Sequence, residues 1–182
     1  MPFFQTDIPD LLIFEPIVYK DNRGYFFESY NEQTFNKEGV DYHFVQDNQS
    51  YSTYGVIRGL HYQLDPHAQT KLVRVLQGRI LDIAVDLRRS SLTFGKWVAA
   101  ELSADNKRQL LVPRGFAHGF SVLSDTAEVS YKCDGLYHKE SEGGIRYDDP
   151  QLGIDWQIPP GKAIVSAKDL DLPLFAECRN NF

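Results

Sequence analysis

The side chains best suited to proton chemistry in these 182 residues are five histidines, ten tyrosines and a scatter of lysines and carboxylates. An imidazole titrates near neutral pH, so a histidine is the first candidate for a general base. Two histidines sit in strand-like, glycine-punctuated surroundings: His61 in Gly59-Leu60-His61-Tyr62-Gln63, and His118 in Pro113-Arg114-Gly115-Phe116-Ala117-His118. A transition-metal centre needs about three converging protein ligands. His61 and His118 could supply two, with His67 as a third at a poor spacing, and no glutamate occurs between Gln63 and Glu101. The expectation is a site that works without a metal or cofactor. Spacing alone equally fits two hydrogen-bonded core histidines.

These residues must be held by β structure. Period-two alternation is frequent, helical periodicity is scarce, and Gly, Pro, Asn and Asp recur every eight to twelve residues or so. Residues 14–19 and 25–30 flank Lys20-Asp21-Asn22-Arg23-Gly24 and read as a hairpin. Residues 71–76 and 79–87, joined by Gln77-Gly78, read as a second hairpin. In it Leu81, Ile83, Val85 and Leu87 share one face, and Asp82, Ala84 and Asp86 the other. Strands are also expected at 97–102, 109–112, 117–123 and 127–133, with a short helix at 31–35 and a loop-rich last forty residues. Many short strands at this spacing favour a jelly roll over a βαβ fold.

Composition narrows the function. A net charge of −6 and a pI near 5.3 offer no field for a polyanion, so nucleic acid is not an expected partner. The apolar runs stop at charges well short of a membrane span. Residues 1–19 carry Asp7, Asp10 and Glu15, the reverse of a signal peptide, which points to the cytoplasm. Cys133 and Cys178 are too few for a disulfide framework and read as free thiols.

The Pro-x-Gly-x-x-His pattern at 113–118 resembles that of cupins, small double-stranded β-helix barrels, although the cupin His-x-His pair is replaced at His61 by His61-Tyr62-Gln63. The resemblance extends further. The segments 21–28 (Asp-Asn-Arg-Gly-Tyr-Phe-Phe-Glu), 46–48 (Gln-Asp-Asn), 55–63 (Gly-Val-Ile-Arg-Gly-Leu-His-Tyr-Gln) and 68–74 (Ala-Gln-Thr-Lys-Leu-Val-Arg) are similar to the dTDP-4-dehydrorhamnose 3,5-epimerase family. So are 86–95, 102–109, 115–120, Tyr131-Lys132 and Asp148-Asp149-Pro150, in order over nearly the whole chain. The resemblance implies one cupin-type epimerase domain over residues 1–182. It also implies an all-β jelly-roll barrel with a few short helices, and a homodimer whose N-terminal segment reaches the partner's site.

It further implies a substrate, a dTDP-4-keto-6-deoxy sugar, whose C3 and C5 hydrogens are both α to a ketone. His61 is then the base, with a carboxylate at Asp169 on its other ring nitrogen, Lys71 the enolate stabiliser and Tyr131 the acid on the opposite ring face. From the residues alone, Ser166-Ala167-Lys168-Asp169 also fits a helix capping box, Lys71 a solvated strand lysine and Tyr131 a core aromatic. Asp82 either supports His118 through a hydrogen bond or is an exposed strand carboxylate. By resemblance, Arg23, Phe26 and Glu28, with Arg23 and Glu28 delivered from the partner subunit, join Gln46, Asn48, Arg58, His118 and Lys168 in holding the nucleotide sugar. Tyr137 stacks on thymine near Glu142. The chain departs from the family after Tyr137, where His138-Lys139-Glu140-Ser141 replaces a Pro-containing stretch. The alternatives are an epimerase acting at C3 or C5 only, a related ketoisomerase, a metal-dependent cupin oxygenase, and a cupin that binds without turnover.

Overall fold

The computed structural model describes residues 3–182. Two antiparallel sheets face each other. One runs β1 (Phe3–Gln5), β2 (Leu12–Phe14), β10 (Gln109–Val112), β7 (Lys71–Gln77), β12 (Thr126–Cys133), β5 (Gln46–Thr53). The other runs β13 (Glu142–Gly144), β6 (Ile57–Gln63), β11 (Phe116–Val122), β8 (Arg79–Asp86), β9 (Trp97–Ser103). The jelly roll expected from the sequence is thus realised as two open sheets rather than a closed barrel. The helical content is α1 (Glu32–Lys37), α2 (Ala167–Leu170) and two single 3₁₀ turns. No helix among the described residues is long and apolar enough to cross a membrane.

The expected hairpin across Gln77-Gly78 does not form: β7 pairs with β10 and β12, while β8 pairs with β11 and β9. The chain changes sheets there. Gly78 has φ +78°, and a Cβ on it would lie 2.0 Å from the Thr126 carbonyl oxygen, so the turn passes too close to another strand for any side chain. The alternation read along residues 79–87 holds nonetheless. Leu81, Ile83, Val85 and Leu87 pack under the C-terminal segment with Leu152, Trp156 and Phe175, whereas Ile80 and Ala84 face the inter-sheet core with Val73, Leu110, Phe116 and Val129. A β-strand covered on both faces puts Asp82 in the interior, where it needs a partner. The N-terminal hairpin is shorter than expected, with β3 (Tyr19–Asp21) and β4 (Gly24–Phe26) joined through Asn22-Arg23. Phe14 belongs instead to β2, where it packs with Phe35 of α1 over the outer face of the first sheet. Strand β5, which alternation did not reveal, carries no apolar stripe because its inward residues Asn48 and Ser50 line a polar cavity and Ser52 accepts from Arg58 Nε at 3.0 Å, instead of packing in the core.

Candidate active site

Strand β6 carries an extra residue relative to β11: His118 is opposite His61, but Phe120 is opposite Arg58. In a regular strand, residues three apart point to opposite faces; the bulge turns Arg58 and His61 to the same cavity. Glycine makes the bulge feasible. Gly59 has φ +114°, and a Cβ there would lie 2.6 Å from Gly119 Cα and 2.7 Å from the His118 carbonyl oxygen.

His61 Nε2 is 2.7 Å from Asp169 Oδ1. Asp169 lies in α2, buried, and Ser166 caps that helix by accepting from the Asp169 main-chain N–H at 3.1 Å. The carboxylate itself turns to His61, and its second oxygen accepts from the Gly59 N–H at 3.4 Å. The segment 166–169 therefore starts a helix capped by Ser166, but the reciprocal half of a capping box is not made, because the Asp169 carboxylate is turned to His61 and Gly59 instead of the Ser166 N–H. Burial pushes the Asp169 carboxyl up, but hydrogen bonds from His61, Gly59 and Ser166 outweigh this and hold it below the usual carboxylate range.

His118 Nε2 is likewise 2.8 Å from Asp82 Oδ1, both side chains being buried. Asp82 is the supporting partner and not an exposed carboxylate. His61 and His118, adjacent across β6 and β11, are each committed to a carboxylate. His67 stands apart, its ring stacked on His138 at 3.6 Å. Among the described residues no group of three or more His, Cys, Asp or Glu could hold a metal ion.

The opposing sheet supplies Lys71 and Tyr131. Lys71 opens β7 opposite Cys133, and Tyr131 lies on β12 opposite Asn48. Burial lowers the Lys71 pKa, partly offset by Cys133, Asp82 and Glu142. Burial raises that of Tyr131, with Cys133 adding and Arg58 opposing. His61, Lys71 and Tyr131 are shared by two adjoining compartments. The outer one, about 390 Å³, is also lined by Gln46, Asn48, Tyr137 and Glu142. The inner one, about 260 Å³, is also lined by Ser50, Arg58, His118 and Phe120. At the mouth, Tyr137 Oη donates to Glu142 Oε2 at 3.1 Å and Lys168 Nζ lies 2.6 Å from Glu142 Oε1. Burial raises Glu142, but Lys168 and Tyr137 hold it below its usual range; Glu142 in turn raises the Lys168 ammonium.

Three expected residues are not in this cavity. Arg23 pairs with Asp21 at 2.6 Å on the β3–β4 hairpin, Phe26 is 70% exposed, and Glu28 accepts from Asn31 Nδ2 at 3.0 Å. Conversely, Ser50, Gln63 and Gln69 line the cavity without having been singled out. The signal for Ser50 is the polar alternation Asn48, Ser50, Ser52; for the glutamines it is only their place in the family-like segments 55–63 and 68–74, since amides are common at strand ends.

Two facing sheets with a carboxylate-paired histidine on one wall, and a lysine and a tyrosine on the other, define a jelly-roll protein equipped for acid–base chemistry on a small polar substrate. Residues 5–177 match the model of the family described as dTDP-4-dehydrorhamnose 3,5-epimerase, and the chain belongs to that family. The Shigella flexneri dTDP-4-dehydrorhamnose 3,5-epimerase is 53% identical over 178 residues, 97% of each chain. The crystal structure of the Elizabethkingia anophelis enzyme of the same name is 55% identical with a TM-score of 0.95, covering 100% of this chain and 99% of that one. The Legionella pneumophila dTDP-6-deoxy-D-glucose-3,5-epimerase, solved in complex with dTDP-4-keto-L-rhamnose, is 49% identical with a TM-score of 0.91, over 95% of this chain and 92% of that one.

Proposed function

We infer that this protein is a dTDP-4-dehydrorhamnose 3,5-epimerase, an isomerase that converts dTDP-4-dehydro-6-deoxy-D-glucose to dTDP-4-dehydro-L-rhamnose. The observation that carries the mechanism is the His61–Asp169 pair facing Lys71 and Tyr131 across one cavity. With Asp169 ionised and bonded at Nε2, neutral His61 carries its proton there and keeps the Nδ1 lone pair for the substrate. It removes the hydrogen next to the C4 ketone. The negative charge that develops on O4 is met by the Lys71 ammonium, whose field is strongest where water is excluded. Tyr131, kept protonated by burial, returns a proton to the carbon. A phenol is weak in water but strong beside an enolate carbon. Base and acid stand on different sheets, which supports delivery to opposite ring faces and hence inversion. Hydrogen leaves and returns as a proton at each carbon, so the steps require no redox cofactor.

Arg58 suits a phosphate oxygen, its Nε being oriented by Ser52 Oγ at 3.0 Å. His118, held by Asp82, serves the sugar; Gln46, Asn48, Tyr137, Glu142 and Lys168 serve the nucleotide end. Residues 1–182 act as one cupin-type domain. The chain works as a homodimer in which the β3–β4 hairpin and the residues after it deliver Arg23 and Glu28, with Phe26 between them, to the partner's cavity; their exposure and their absence from the lining of this cavity support that role. The reaction is placed in the cytoplasm, because a charged nucleotide sugar does not cross a membrane unaided. Incubation with dTDP-4-dehydro-6-deoxy-D-glucose and a rhamnose-forming reductase tests the assignment: it predicts dTDP-L-rhamnose, and no reductase-dependent product would reject it.

A further inference from the structure

Tyr137 is 55% exposed and belongs to no strand or helix, so packing does not hold it in place. Main-chain hydrogen bonds do. The Gly135 carbonyl accepts from Gln69 Nε2 at 2.7 Å, and the Leu136 carbonyl accepts from Gln63 Nε2 at 3.3 Å. The Tyr137 N–H donates to Gln46 Oε1 at 3.1 Å, and the His138 N–H donates to Gln63 Oε1 at 2.5 Å. Gln63 Nε2 also donates to the His67 carbonyl at 2.7 Å, on the segment whose imidazole stacks on His138. Gln63 is 5% exposed at the end of β6, opposite Glu142, the residue that receives the Tyr137 hydroxyl. A buried amide is costly unless its donors and acceptor are matched, and here every bond goes to a neighbouring segment rather than to its own strand. Methionine would fill the same volume without that burden.

We propose that Gln63, assisted by Gln69, is a positioning residue that sets affinity for the nucleotide end of the substrate by fixing the main chain at 135–138, and so the Tyr137 ring at the cavity mouth. This rests on the reading of Tyr137 as the platform for the base, and the test separates the two. KM, kcat and the calorimetric Kd for dTDP are measured for Gln63→Met, Tyr137→Ala, the double variant and Gln69→Met.

Loss of Gln63's bonds predicts a rise of about tenfold in KM and in Kd for dTDP in Gln63→Met, with kcat within about twofold. The double variant binds no worse than Tyr137→Ala alone, because Gln63 acts through Tyr137. Gln69→Met, which removes a single bond, raises KM about threefold, and it carries the test if Gln63→Met does not fold. Unchanged dTDP affinity in Tyr137→Ala defeats the platform reading and the proposal with it. If Tyr137→Ala weakens binding and Gln63→Met does not, the positioning role alone fails. Additive losses in the double variant also overturn it, by making Gln63 a direct substrate contact.

Discussion

His61 Nε2 and Asp169 Oδ1 stand 2.7 Å apart although 108 residues separate them in sequence, and the carboxylate reaches the strand from a four-residue helix capped by Ser166. In the proposed mechanism this contact is what keeps the imidazole proton on Nε2. Asp169→Asn keeps an acceptor of the same shape but removes the charge that stabilises imidazolium. It should lower kcat about 10²-fold while leaving the fold intact. Steady-state rates beside a thermal melt check this; a wild-type kcat would mean that the pair does not tune the base.

The same carboxyl predicts an acid-dependent stability. Its folded-state pKa is held below the ordinary value near 3.9 by His61, Gly59 and Ser166 against the opposing effect of burial. Its contribution is therefore full above that ordinary value and disappears as pH falls through the lower folded value. The Tm gap between wild type and Asp169→Asn should be wide at pH 6 and narrow toward pH 3. A gap independent of pH would contradict the linkage.

Lys71 predicts an alkaline limb. Burial lowers its pKa, so the ammonium that in the proposed mechanism meets the enolate is lost as pH rises through a value below the usual lysine range near 10.4. The kcat profile should fall on that side. Lys71→Arg stays charged throughout and should flatten the limb, even at a lower maximum. The same limb in both proteins would remove Lys71 from the charged role.

Gly59→Ala tests the bulge. A methyl group there meets the Gly119 and His118 backbone at φ +114°, so the strands must part. A cost of about 2–4 kcal/mol in stability is expected, with loss of activity beyond what the remaining folded fraction explains, since His61 and Arg58 are aimed by this bulge. Urea unfolding together with the specific activity of the folded protein measures both.

At the mouth, Lys168→Met removes the cation that pairs with Glu142 at 2.6 Å and, in the proposed reading, serves the nucleotide. KM should rise about tenfold with little change in kcat, in line with the loss of a charge-assisted bond used in ground and transition states alike.

Much of this was legible in the chain, for reasons particular residues show. The alternation Leu81, Ile83, Val85, Leu87 marked a strand because those side chains pack as one face, and the histidines stood out by type. The pairing of that strand did not follow, although the hairpin around Asn22-Arg23 did form. Gln77-Gly78 has hairpin composition, yet the turn carries the chain between sheets, a difference set by the tertiary approach of Thr126 rather than by the dipeptide. Strand β5 was invisible because its inner face is polar for the sake of the cavity. The His61–Asp169 pairing needed the family resemblance, since Ser166-Ala167-Lys168-Asp169 reads equally as a helix start, and it is one. The register shift at Gly59 was beyond local reading: it depends on Gly119 of another strand.

The most direct test of the central claim, base and acid on opposite walls, is proton NMR of dTDP-4-dehydro-6-deoxy-D-glucose in D₂O with wild type, His61→Ala and Tyr131→Phe. The account predicts deuterium at both C3 and C5 with wild type and none with His61→Ala. Tyr131→Phe should keep exchange while net inversion collapses, because His61 can return deuterium to the face it deprotonates. Label at one carbon only, or equal loss of exchange and product in Tyr131→Phe, would contradict it.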